Sequence, residues 1–200
     1  MSPVPMMNEM STPTVYLEAQ VLKCARILQR AGKYVPDVSM AGGFINETQI
    51  FKAIALSNFD GNNGKGPFVK SITMARSPLT AAMKALYFTE LAEKNRLPRD
   101  FANKYGNSPE KFFIAADEIK GEYGDRVGKE IPWSAVGVYT YLSERLGLGL
   151  KQLLAGTRKF KLDLIDRGDI AALSRLASEV TGIPMMHEIE AELFEEILTS

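Results

Sequence analysis

A helix-rich α/β protein with two adjacent parallel strands is the fold class that this 200-residue sequence predicts. Two short runs of mostly small or apolar residues, Val38–Ala41 and Phe68–Met74, interrupt an otherwise helical periodicity. Each run leads almost directly into a helix start, which is the pattern of successive βα units joined by right-handed crossovers. From about Leu97 onward no strand pattern stands out, so the second half is expected to be helical.

Taken in order, the first twelve residues hold two prolines and four methionines without a period and read as an entry segment. Leu17, Val21, Cys24 and Leu28 then recur at spacings of four, three and four, one face of a helix. Thr12 is its expected cap, Pro13 its first residue and Gly32 its end. Val38–Ala41 is the first strand, closed by Gly42-Gly43, residues that allow positive φ. Asn46 with Gln49 three residues on forms a capping-box spacing. It opens a helix whose stripe is Ile50, Phe51, Ile54 and Ala55. Phe59–Gly66 is a turn by composition, and Pro67–Ala75 holds the second strand. Ser77-Pro78 is expected to cap a third helix carrying Leu79, Met83, Leu86 and Tyr87 inward.

In the second half, Ser108-Pro109-Glu110 starts a helix through Phe112, Phe113, Ala116 and Ile119 that ends near Gly121–Gly124. Ser134 starts another, with Val138, Tyr139, Leu142 and Leu146 inward. Shorter helices are expected near Leu150–Ala155, Asp169–Val180 and Glu188–Leu198. Both strands are expected to be buried.

Composition narrows the function classes. Hydrophobic residues make up 46% and charged residues 24%, the balance of a globular chain. Twenty-four basic residues offset twenty-four acidic ones, which argues against a broad nucleic-acid surface while leaving room for a local anion site. No apolar run approaches the ~20 residues that span a bilayer, and the N-terminus lacks a signal-peptide pattern. A cytoplasmic protein with neither nucleic acid nor membrane as partner is therefore expected. One cysteine and one histidine exclude an intrachain disulfide and a His-rich metal site.

The two strand ends carry the chemistry. Gly42-Gly43 after one strand and Met74-Ala75-Arg76 after the next both open onto helix N-termini. Free N–H groups and the positive end of the helix dipole suit an anion there. Glycine also lets the main chain approach a phosphate where a Cβ would collide. A tight turn with no ligand is the competing reading. Elsewhere, Gly61–Gly66 lacks the spacer and the Ser/Thr of a P-loop, and Asp60-Gly61-Asn62 lacks the later acidic ligand of an EF-hand loop. Cys24 falls on the apolar helix face and reads as core. His187 has no partner and reads as structural or exposed. Glu188, Glu190, Glu192, Glu195 and Glu196 surround a helix striped by Ile189, Leu193 and Ile197, a solvated face rather than a metal site. Arg158-Lys159 reads as a charge pair favoured at a helix C-terminus.

Gly42-Gly43, the helix Ile50-Phe51-Lys52-Ala53-Ile54-Ala55-Leu56 and the loop Met74-Ala75-Arg76 together resemble the end of the FMN-binding (β/α)8 domain of the glutamate synthase family. The helix containing Leu17–Leu28 is similar to the one before that Gly-Gly strand. The stretch Leu153–Leu173, with its Gly-x-Arg and Arg-x-Asp, is similar to a later part of the same domain. The resemblance is strongest over Met40–Ala82, weaker over Leu150–Leu173 and only general over Leu97–Leu146. It implies the C-terminal part of a TIM (β/α)8 barrel, with the last two βα units in residues 1–96 and a helical extension in 97–200. It further implies FMN as cofactor, its phosphate held by Ala41, Gly42, Gly43, Met74, Ala75 and Arg76. The family reduces a 2-iminoglutarate intermediate to glutamate by hydride transfer from reduced FMN.

Departures from the family pattern shape that expectation. Sequence for six earlier strands is lacking, and the loop beside the flavin ring would lie before Met1. No catalytic residue is assigned, and no cysteine in the relevant region offers an iron–sulfur ligand. A second polypeptide carrying the other strands, or self-association, is the implied partner. The alternative reading is a non-catalytic helical protein, a truncated or interaction module that no longer binds flavin.

Overall fold

The computed structural model describes residues 10–59 and 66–199. The turn at Phe59–Gly66, with its P-loop-like and EF-hand-like fragments, therefore falls almost wholly outside the described residues, as does most of the entry segment. The chain is a mostly helical α/β protein with a two-stranded parallel sheet; among the described residues no barrel is identified. Two compact units form. One gathers Met1–Phe44, Thr48–Thr73 and Leu153–Ser200; the other gathers Ile45–Glu47 and Met74–Gln152. The division does not follow a boundary at 96/97.

In the first unit, α1 (Thr14–Arg30) ends as its sequence suggests. Gly32 takes φ +65°, and the N–H groups of Gly32 and Lys33 donate to the carbonyls of Gln29 and Leu28. That double closure satisfies carbonyls which the helix end would otherwise leave open. At the other end Pro13, not Thr12, precedes the first helical residue, and no side chain caps it.

The buried face of α1 is Glu18, Ala19, Leu22 and Ala25, one residue on from the expected stripe. One residue is about 100° of helix rotation. Leu17, at 51% exposure, along with Val21, Cys24 and Leu28, therefore faces outward. The buried row carries two alanines, whose small side chains permit close approach of the helix backbone to its neighbours.

Strand β1 (Val38–Ala41) pairs in parallel with β2 (Val69–Thr73), matching Ser39 with Ser71, Met40 with Ile72 and Ala41 with Thr73. The register shifts between Val38 and Ser39, where Lys70 is the extra residue of a bulge. The strands are buried on one face only, which corrects the expectation that both would be buried. Val38, Met40 and Val69 point into the core. Ser39, Ser71 and Thr73 line the exposed face, where Ser71 Oγ donates to Ser39 Oγ at 2.8 Å and Ser39 Oγ lies 3.2 Å from Thr73 Oγ1.

Between the strands runs α2 (Glu47–Ser57), which buries Phe51, Ala53, Ile54, Ala55 and Leu56. Its end is tied to β2. Ser57 Oγ donates to the Ile54 carbonyl and accepts the Val69 N–H, while the Ser57 carbonyl accepts the Phe68 N–H. The last helices of this unit are α9 (Arg175–Thr181) and α10 (Met186–Thr199), the former capped by Ser174 Oγ on the Ala177 N–H. The expected helix from Asp169 thus starts later, because Asp169 closes a 3-10 turn instead.

The second unit is built on α3 (Arg76–Glu93), which starts at Arg76 and not at a Ser77-Pro78 cap. After it come α4 (Arg99–Tyr105), α5 (Pro109–Phe112) and α6 (Ala116–Tyr123). The helix expected from Ser108 is thus broken at Phe113–Ala115, and α4 had no counterpart among the expected elements. Next, α7 (Trp133–Tyr139) runs through a π-helical stretch, Thr140–Gly147, into α8 (Leu148–Gly156). Val136, Gly137 and Leu146 are the buried positions here, while Tyr139 and Leu142 lie outward.

Small residues again make the contact. Ala85 of α3 meets Gly137 of α7, where a Cβ would come 2.4 Å from the Ala85 methyl. The expected inward set Leu79, Met83, Leu86 and Tyr87 is exposed, with Met83 at 61%. Substituting Gly137→Val should therefore force α3 and α7 apart. We expect a loss of about 1–3 kcal/mol in stability, read as a lower urea midpoint at unchanged slope. An unaltered midpoint would show that the contact is not close.

Candidate functional site

The carboxyl end of β1 is where an α/β fold presents its ligand site. Gly42 and Gly43 take φ +108° and +78°, positive values that glycine adopts without the cost a Cβ imposes on most other residues. Their requirements differ. A Cβ on Gly42 would sit 2.6 Å from Thr14 Oγ1, whereas a Cβ on Gly43 would enter open space. Thr14 sets the turn by donating its hydroxyl to the Gly42 carbonyl at 2.9 Å, with the Ala41 carbonyl at 3.4 Å.

In front of this turn lies a cavity of about 220 Å³, lined by Thr14, Val15, Glu18, Gly42, Gly43, Phe44, Gln49, Lys52, Ala53 and Leu56. The lining includes the two glycines, an exposed lysine, Lys52, and a buried acid, Glu18. A larger cleft of about 390 Å³ opens by Gln29, Tyr34, Asp37 and Lys70. It lies at the amino ends of the strands, the side that α/β proteins do not use for ligands.

Glu18 is the unusual member. It is 3% exposed, and its Oε1 has no hydrogen-bond partner. Burial alone pushes its carboxyl up from 4.5 to about 8. The group is therefore a neutral acid at pH 7, able to donate a hydrogen bond rather than only accept one.

Of the residues that the sequence singles out, Gly42 and Gly43 line this cavity, while Ala41 lies outside its lining with its carbonyl 3.4 Å from Thr14 Oγ1. Met74, half-buried, with exposed Ala75 and Arg76, belongs to the second unit at the start of α3. Arg76 there lines an open, mainly apolar groove with Leu79, Thr80, Met83, Lys84 and Tyr87. Cys24, expected in the core, is exposed, and so is His187. Among the described residues no group of three or more His, Cys, Asp or Glu could hold a metal ion. No described helix is long and apolar enough to cross a membrane.

The later stretch is structural in detail. Gly156 ends α8, and Arg158 takes φ +56° while the Lys159 N–H closes on the Leu154 carbonyl. Lys159 Nζ then reaches Asp166 and Asp169, both at 2.7 Å. Burial pulls that ammonium down, and the two carboxylates outweigh it, so its pKa is raised on balance. Arg167 donates to the carbonyls of Leu56 and Thr181 and lies over the Phe59 ring, which Arg26 also covers.

Glu18, Thr14 and Lys52 were not singled out by sequence reasoning. One signal was present: Glu18 stands in helical line with Thr14, Leu22 and Ala25, a charge within a small or apolar row. Comparison with protein-family models, curated proteins and solved structures finds no match.

The raised Glu18 pKa has a stability consequence. Below pH 4.5 both folded and unfolded chains carry the proton, so Glu18 contributes no pH dependence. Between 4.5 and about 8 only the folded chain holds it, and stability falls by roughly 1.4 kcal/mol per pH unit. Above about 8 the effect levels off. Glu18→Gln should remove this slope and raise the urea midpoint at pH 8. A wild-type pH profile identical to that of the variant would contradict the burial of Glu18.

Proposed function

We propose that this chain is the C-terminal portion of a TIM (β/α)8 flavin domain of the glutamate synthase type, and that Ala41, Gly42 and Gly43 hold the phosphate of FMN. The observation that carries the reading is the pair of positive-φ glycines closing a parallel strand in front of a cavity. The parallel β1–β2 pair with α2 between them supports it, being the layout of successive βα units. The residues fit the group. Space before Gly43 admits an oxygen where a Cβ would stand, and Lys52 brings a positive charge. When bound, FMN supplies the hydride that reduces 2-iminoglutarate to glutamate in the family that this sequence resembles. The residues assigned here bind and orient; none is assigned to catalysis.

The exposed apolar stripes fit the same reading. Leu17, Val21 and Leu28 on α1, and Leu79, Met83 and Leu86 on α3, are faces on which neighbouring βα units of a barrel would pack. Without that cover the chain should self-associate. Sedimentation should show concentration-dependent oligomers, and Leu79→Lys with Met83→Lys should shift them toward monomer. A strictly monomeric chain at on the order of 100 μM would contradict this.

Flavin binding is tested by titrating the chain with FMN and with riboflavin, which lacks the phosphate. Kd for FMN should exceed about 1 μM, because phosphate contacts alone offset little more than the cost of immobilising the ligand. Riboflavin should bind more weakly still. Gly43→Glu should weaken FMN at least about tenfold, by like charge and by filling the space. Gly43→Asn, which tolerates positive φ, checks that the fold survives a side chain there. Unchanged FMN affinity in Gly43→Glu would favour a non-catalytic helical protein that binds no flavin through this turn.

A further inference from the structure

The cavity at the Gly42–Gly43 turn places a buried carboxyl beside the position proposed for an anion. Were Glu18 ionised, it would repel a phosphate at close range in a dry setting. Its surroundings provide no cation that would hold it ionised. From α2, Lys52 lines the cavity without bonding to it, and β1 contributes no titratable group. On α9, Arg175 and Glu179 pair with each other at 3.0 Å. Burial is the sole cause of the Glu18 shift, with no neighbouring charge contributing. A carboxylic acid walled off in this way, with Oε1 unpartnered, lacks one thing: an acceptor for its proton.

We infer that Glu18 is a binding residue in its protonated form, donating its O–H to a phosphate oxygen of the ligand seated at Gly42–Gly43. This rests on the phosphate reading of the turn and deepens it. The site takes an anion together with a proton. It recognises phosphate in part because phosphate is acceptor-rich. A bound anion makes ionisation of Glu18 costlier still, so anion affinity and proton affinity rise together. Glu18 thereby gives the site an upper pH limit that the glycine backbone and a lysine would not create on their own.

The test is to titrate FMN, and separately inorganic phosphate, into the full chain at several pH values from 7 to 9.5, checking the fold by circular dichroism at each. Wild type and Glu18→Gln are compared throughout. The amide donates at every pH and shares every other titration, including that of the ligand. Above about pH 8 the wild-type Kd should climb toward tenfold per pH unit relative to Glu18→Gln. Glu18→Met, similar in size but without a donor, should bind FMN at pH 7 about tenfold more weakly than Glu18→Gln. Parallel FMN profiles for wild type and Glu18→Gln, with binding intact, would overturn the role of Glu18 and leave the flavin reading standing. Phosphate binding with the expected pH dependence, but no FMN binding, would support Glu18 and overturn the flavin reading. Binding of neither anion at any pH would overturn both.

Discussion

The first unit depends on a small polar junction at the end of α2. Ser57 ties the helix to β2, and Asn58 Nδ2 donates to the carbonyls of Asp163 and Ile165 at 3.1 and 2.7 Å. Phe59 is covered by the guanidinium groups of Arg26 and Arg167. A sheet of only two strands has little face of its own to bury. The junction compensates by joining three segments far apart in sequence: α1, the end of α2 and the Leu162–Asp169 stretch. Ile165, wholly buried, sits in its middle. Because Asn58 bonds main-chain carbonyls that would otherwise be shut away, its loss would leave buried acceptors open, which is costly.

Small residues govern contact in both units, and they explain where sequence reasoning succeeded and failed. The limits of β1 and the buried face of α2 were legible, since the first is a short apolar run ended by Gly42-Gly43 and the second follows a single apolar stripe through Phe51, Ile54 and Ala55. The inward faces of α1 and α3 were not. In each helix two adjacent rows compete: a large apolar row, such as Leu17–Val21–Leu28, and a row that includes alanine, such as Ala19–Leu22–Ala25. Hydrophobicity favours the first, while close approach of backbones favours the second. The break between α5 and α6 and the π-helical stretch after α7 were likewise invisible. Both are tertiary adjustments that no local propensity signals.

The site was half legible. Gly42-Gly43 announces a positive-φ turn at a strand end, and both glycines take positive φ there and line a cavity. Glu18 was hidden because a glutamate in a helix ordinarily reads as solvated. Only the packing of α1 shows that it faces inward. The Gly-x-Arg and Arg-x-Asp features after α8 have local duties that account for them. Arg158 ends a helix, Asp169 receives Lys159, and Arg167 closes over Phe59.

A phosphate cradle at the Gly42–Gly43 turn would show itself in the main-chain N–H groups that face the ligand. Backbone amide chemical shifts in an isotopically labelled chain address it most directly. Adding FMN should move the Gly42 and Gly43 N–H resonances together with that of Thr14, and riboflavin at equal concentration should leave them in place. Shifts of equal size with riboflavin, or FMN shifts confined to residues outside this cavity, would contradict the account.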